Sequence, residues 1–418
     1  MSNLKLKYEI RDPIHGFIHF NEWEKTIIDH PVFQRLRRIR QNSLTDMVYP
    51  GMTHTRFEHS IGVMKLADDM FNSIIKDEKS RKTLDGWGIP FEHKDRLHQM
   101  IRIAALVHDI GHAPFSHVSE EIMPFNSKSR RKYKHEDYTI ALIKGPLKDV
   151  IEGHKGNKPF NITVKEISAF FDGDSLKSRE LFWRQMISSQ LDADRGDYLQ
   201  RDSYYGGVKY GIYDLDRLLN TLTIGLDPES ESPILGSKEE GWQVAESFIL
   251  ARYRMFTQVY FHKTRRAYDK MLQEAISQTF GTLPDPSETD EYIGLNDHKL
   301  WCKMEQDKDN NWFKDIIKRK HIRKVFSTNS DYSHDDLEDI VRILADENIW
   351  YWVDSLEKLW YNPDIDKEIM LFRKDGGPII LSKKSKIIAS MESYNSERIY
   401  VEFKDREKVN KLIRRCMI

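Results

Sequence analysis

Cysteine is almost missing from this chain. Two occur among 418 residues, Cys302 and Cys416, which excludes a disulfide framework and a thiolate zinc site and fits a reducing compartment. Net charge is missing as well. Lys and Arg number 65 against 66 Asp and Glu, leaving −1, so no global basic field points to nucleic acid. No uninterrupted apolar run approaches the roughly 20 residues needed to cross a bilayer. Met1–Asp12 is charged and lacks the apolar centre of a secretion signal. These absences predict a cytoplasmic globular protein that does not span a membrane.

What is present is histidine, 16 of them, and some stand in company. Leu106-Val107-His108-Asp109-Ile110-Gly111-His112 closes an apolar helix on an adjacent His-Asp pair. Upstream is Arg56-Phe57-Glu58-His59, and downstream Leu191-Asp192-Ala193-Asp194-Arg195-Gly196-Asp197-Tyr198. A His, a His-Asp and a distant Asp make a ligand set for one divalent metal. Such an ion suits phosphate-ester hydrolysis, because it makes hydroxide available near neutral pH and stabilises phosphoryl charge. Any one of 16 histidines is ordinarily a surface or core residue. An apolar helix that ends by presenting two adjacent metal-binding groups needs a reason.

The surrounding pattern is mainly helical. Lys5–Ile10 and Phe17–Phe20 flank the turn Asp12–Gly16 and read as a small β-hairpin. Val32, Leu36 and Ile39 recur at helical spacing, and His59–Ile74, His98–Val107, His135–Ile143, Asp192–Tyr205 and Glu246–Phe280 read as helices. Pro284–His298 concentrates Pro, Asp, Glu, Ser and Gly and reads as a linker. Beyond it, Asp335–Asp346 and Ile349–Trp360 read as helices, followed by strand-like Ile379–Leu381, Ile387–Ala389 and Ile399–Phe403 and a last helix from Arg406. The expected organisation is a helical unit over 1–285, opened by the hairpin, and an α+β region over 286–418.

The motifs Asp12–Gly16, Phe33–Arg37, Tyr49–Gly51, Arg56–Val63, His108–His117, Lys134–Glu136 and Asp192–Asp202 together resemble the HD-domain phosphohydrolases. Within them they are similar to the deoxynucleoside triphosphate triphosphohydrolase branch, over roughly residues 8–270. The resemblance implies an HD-domain helical bundle and four metal ligands, His59, His108, Asp109 and Asp194. Imidazole with carboxylate suits Mn, Mg, Fe or Zn. It further implies that His135, with Glu136 and His112, assists departure of the 5′-oxygen. Gln41, Arg56, His117, Arg195, Tyr198 and Asp202 would contact substrate phosphate and sugar, and Tyr268, in Arg265-Arg266-Ala267-Tyr268, would pack on the sugar. The segment leading to Tyr268 differs from the family spacing by at least one residue. Asp29, Gln34 and Arg37 match a guanine-binding set at an activating nucleotide site, and such sites accompany a homo-oligomer.

The implied reaction converts a deoxynucleoside triphosphate to deoxynucleoside and inorganic triphosphate. Two rivals keep the motifs and change the outcome: a nucleotide phosphatase or phosphodiesterase of the wider HD group, and a nucleotide sensor with weak turnover. The basic segments Lys128–Lys134 and Lys314–Lys324 would suit single-stranded nucleic acid, but read better as solvated faces or subunit contacts.

Overall fold

The hairpin forms where the sequence alternates. In the computed structural model, which describes residues 4–89, 91–172, 179–328, 332–358 and 368–416, Tyr8–Asp12 pairs antiparallel with Gly16–Phe20. Asn21 then starts a helix over Glu22–Asp29 through a capping box with Glu24, which satisfies orphan amides at the first turn. The next apolar repeat, Val32, Leu36 and Ile39, does not extend into a long helix. It makes a short turn of helix over Pro31–Gln34 and a 3-10 turn over Arg35–Arg38.

Three helices build the centre. Arg56–Lys76 packs against Lys94–Val107 on one side and Ala193–Gly206 on the other. Phe57, Ile61, Met64 and Phe71 form its buried stripe, as a 3.6-residue period requires. Gly62 sets the approach of Ala193–Gly206, because a Cβ there would lie 2.0 Å from Asp197 Oδ1 and 2.4 Å from Arg201. In Lys94–Val107 every residue from Gln99 onward is buried. The His-Asp pair that follows is therefore carried into the interior rather than onto the surface.

The stretch read as one helix over Glu246–Phe280 is two. Trp242–Met255 and Lys263–Phe280 are separated by a π-helical turn over Phe256–Tyr260. The Pro284–His298 stretch is packed rather than a free linker. Tyr292, in a short helix over Thr289–Ile293, is fully buried and donates its hydroxyl to Gly111 O at 2.7 Å. Asp297 accepts from the backbone amides of Arg40 and Phe115 at 2.8 and 2.7 Å.

Two sheets complete the fold. Leu222–Leu226, Pro233–Lys238, Met370–Phe372 and Ile379–Ile380 form one, with Pro233–Lys238 and Met370–Phe372 parallel. Arg323–Ser327, Tyr394–Val401 and Tyr351–Lys358 form the other, with the helices His334–Asp346 and Arg406–Cys416 and their own apolar core of Phe326, Leu337, Ile340, Ile399 and Val409. Two tail readings are corrected. Ile349–Trp360 is not helical: Tyr351–Lys358 is a strand in register with Tyr394–Val401 from Tyr351↔Val401 to Lys358↔Tyr394, and its last two residues lie outside the described ones. Ile387–Ala389 belongs to a helical turn, Lys386–Ala389, capped by Ser385. The chain is mainly α, with a small N-terminal strand pair and C-terminal strands. No helix among the described residues is long and apolar enough to cross a membrane.

Candidate metal centre

His59, one turn into its helix, and His108, the C-cap of Lys94–Val107, bring their rings within 5.1 Å of each other. His59 Nε2 lies 3.0 Å from Asp194 Oδ1 and 3.5 Å from Asp109 Oδ2. His108 Nε2 lies 3.2 Å from Asp109 Oδ1 and 3.8 Å from Asp194 Oδ1. Both Nε2 atoms are buried and make no well-formed hydrogen bond. Their other nitrogens are engaged: His108 Nδ1 donates to Ala105 O at 2.9 Å, and His59 Nδ1 is 2.8 Å from Asp197 Oδ2. Two imidazole nitrogens thus converge beside two carboxylates, and His59, His108 and Asp194 form a group able to hold one ion. Burial alone would push the His59 pKa down, but Asp194 and Asp197 outweigh it and lift it to about 10. An arriving metal must therefore displace a proton.

Asp197 was absent from the predicted site, yet it is the hub of the second layer. Its Oδ1 is 2.7 Å from His15 Nε2, and both oxygens accept from the Arg201 fork at 2.9 Å. Arg201 also donates to Asp12 at 2.8 Å. The hairpin turn is thereby wired to His59. The Arg201 and histidine contacts hold the Asp197 carboxyl well below the usual range despite the cost of burying it.

Arg56 pairs with Asp109 Oδ2 and donates to Ser116 Oγ at 2.7 Å. On the far side of Asp109 stands a second group. His112 Nε2 is 3.3 Å from Asp109 Oδ1, and its ring stacks on His135 at 3.9 Å. Burial and the nearby Arg56 keep His112 neutral, its pKa pushed well down. His135 starts the helix His135–Lys144, and Gly111 lets that helix press onto the His-Asp loop, since a Cβ would meet His135 O at 2.2 Å. The predicted partner of His135 is Glu136, 3.5 Å away. A closer one was missed: Glu120 Oε1 accepts from His135 Nδ1 at 2.9 Å and from the exposed His117 at 3.0 Å. Against the effect of burial, these carboxylates raise the His135 pKa above its ordinary value.

Beside both groups opens a cavity of about 360 Å³ lined by His108, Asp109, Lys134, His135, Arg184 and Asp194, among others. Arg195 donates to Asp192 at 3.1 Å. At the predicted sugar end, Asp202 is buried between His54 Nε2, at 2.7 Å, and the Tyr260 hydroxyl, at 2.6 Å. Tyr198 faces Tyr260 with ring centroids 6.3 Å apart. The Gln41 side-chain oxygen is buried without a partner.

Tyr268 is not in this neighbourhood. It is fully buried against His321, with ring centroids 5.0 Å apart and its hydroxyl unpartnered. Arg266 before it holds Asp354 of the C-terminal sheet at 2.5 and 3.1 Å. Tyr260, the last residue of the π turn, is the tyrosine that reaches Asp202. Of the predicted regulatory residues, Arg37 donates to Gln34 at 2.9 Å and lies over the Phe57 ring, while Asp29 pairs with Lys25.

Residues 56–202 match the model of the HD domain, and 213–350 that of the HD associated region. The two adjacent matches make the chain a member of the HD-domain family. It is 34% identical over 66% of its length to the uncharacterized protein YwfO of Bacillus subtilis, covering 57% of that protein. It is 30% identical over 72% of its length to the deoxynucleoside triphosphate triphosphohydrolase SAMHD1 homolog of Dictyostelium discoideum, covering 55% of it. A phosphohydrolase of Bacteroides thetaiotaomicron superposes with a TM-score of 0.72 at 26% identity, over 94% of this chain and 99% of that one. The chain spans about half the length of the curated relatives it matches.

Proposed function

We propose that this HD-domain phosphohydrolase cleaves deoxynucleoside triphosphates to deoxynucleoside and inorganic triphosphate. The observation that carries the reading is the pair of buried Nε2 atoms of His59 and His108 that face Asp194 without a well-formed hydrogen bond, with a carboxylate-supported His135 across the same cavity. His59, His108, Asp194 and, beside them, Asp109 would hold a divalent ion. Such an ion supplies Lewis acidity, polarising a phosphoryl oxygen and lowering the pKa of water.

The chain's own residues do the rest. Arg56 and Arg195 neutralise charge on the phosphates. Water attacks the α-phosphorus, the bond to the 5′-oxygen breaks, and His135 delivers a proton to that oxygen while Glu120 stabilises the charged imidazole. Asp202, braced by His54 and Tyr260, receives the 3′-hydroxyl, and Tyr198 and Gln41 line that end. Asp29, Gln34 and Arg37 serve an activating nucleotide in a homo-oligomer. Residues 1–285 form the hydrolase unit and 286–418 its supporting region.

The test is product analysis with Mn²⁺ and each deoxynucleoside triphosphate, alone and in pairs or with GTP. Deoxynucleoside plus triphosphate is expected, and Asp194→Asn should abolish both. Mono- or diphosphate products would overturn the substrate assignment, and activity unchanged by mixtures would overturn the activating site.

A further inference from the structure

His112, His117, Glu120 and His135 place one donor atom each within 4.8 Å of one another. Three imidazoles and a carboxylate are a tetrahedral zinc set, and Zn–N bonds of about 2.0–2.1 Å put such ligand atoms about 3.3 Å apart. The contacts from His117 and His135 to Glu120, 3.0 and 2.9 Å, are already near that spacing. The deciding atom is His112 Nδ1. It is buried and has no partner, although a buried imidazole nitrogen normally finds one. The opposite nitrogen, Nε2, faces Asp109 at 3.3 Å. A carboxylate on one nitrogen leaves the lone pair on the other, as in carboxylate–histidine–metal triads. On the other flank, His117 is 66% exposed, so the position is reachable from solvent.

We propose that these four residues form a second divalent-metal site, selective for a nitrogen-preferring ion such as zinc, and that its occupation inhibits the enzyme. The ion takes the Glu120 oxygen and the His135 nitrogen that now share a hydrogen bond. His135 loses the carboxylate that stabilises its protonated form and no longer delivers a proton. The binding half stands by itself, whereas the inhibitory half rests on the proton role given to His135 above.

The experiment is a zinc titration of chelator-stripped protein, with metal counted by mass spectrometry after desalting. Wild type should retain two zinc ions per chain. His117→Ala, a change at an exposed side chain that should fold normally, and Glu120→Gln should each retain one. The double variant His59→Ala/His108→Ala should also retain one, at the second group. A single ion in saturated wild type, or two ions in both His117→Ala and Glu120→Gln, would overturn the site. For inhibition, the second equivalent of zinc should cut turnover at least tenfold, with recovery when a chelator removes it. Turnover unchanged by that equivalent would overturn the inhibitory role. Should no deoxynucleoside triphosphate be cleaved at all, the zinc count still decides the site, so failure of the substrate assignment and of the second site are told apart.

Discussion

A buried carboxylate holding the far nitrogen of a metal-facing histidine fixes both its tautomer and its aim. Asp197 does this for His59 while Arg201 and His15 hold Asp197. Asp197→Asn should therefore weaken metal affinity about 10–100-fold, read by competition with a chromogenic chelator, and Gly62→Ala should do likewise by pushing the helices apart. Metal uptake by wild type should release about one proton per ion near neutral pH, because His59 is held protonated without one. Calorimetry in two buffers of different ionisation enthalpy measures this, and zero release would refute the assignment. The two glutamates separate cleanly. Glu120→Gln should lower kcat by about 10²–10⁴, whereas Glu136→Gln, at 3.5 Å from His135, should cost less than about tenfold. The His-Asp pair was legible because two ligands stand adjacent at the end of an apolar helix. Asp197 and Glu120 were not, because their meaning lies in what they touch across the fold, and their own sequence spacing says nothing of it.

Elements decide which tyrosine matters. A π turn adds a residue to a helix, and such turns cluster at functional sites. Here it breaks the run from Trp242 to Phe280 and ends on Tyr260, which reaches Asp202. Tyr260→Phe removes a hydrogen bond to a buried carboxylate and should cost about 1.5–3 kcal/mol of stability, together with a raised KM for the deoxynucleotide. Tyr268→Phe removes a hydroxyl with no partner and should stay within about 0.5 kcal/mol of wild type by urea denaturation, with KM unchanged. The spacing mismatch before Tyr268 was visible in the sequence, but its direction was not. The same limit explains the tail. Ile349 to Val353 is a continuous apolar run without a period, so helix and strand fit it equally until the pairing partner Tyr394–Val401 is seen.

At the scale of the whole molecule, a buried histidine couples stability to pH. His321 accepts from Arg323 Nη1 at 2.7 Å, and its other nitrogen is buried and unpartnered. Burial and the neighbouring arginines lower its pKa to about 4. The unfolded chain, with a histidine pKa near 6.5, takes up this proton first as pH falls. Stability is therefore present above about pH 6.5 and is lost on descent toward 4. Urea midpoints at pH 7 and 5 should show the fall, and His321→Gln should flatten it.

Asp297 and Tyr292 grip the loop that carries His108, Asp109 and His112, at a point where Phe115 and Ser116 both adopt left-handed φ of +57°. Truncation after residue 285 should leave protein that retains less than a tenth of the wild-type metal, measured by mass spectrometry, and supplying 286–418 as a separate polypeptide should restore part of it.

That grip has a consequence for descent. The loop and the segment that clasps it are more than 180 residues apart, so a loss of metal on truncation would mean that the two must be inherited together. A recombination event that exchanged one half for a distant cousin's would have to bring the matching carboxylate and phenol with it, or lose the ion.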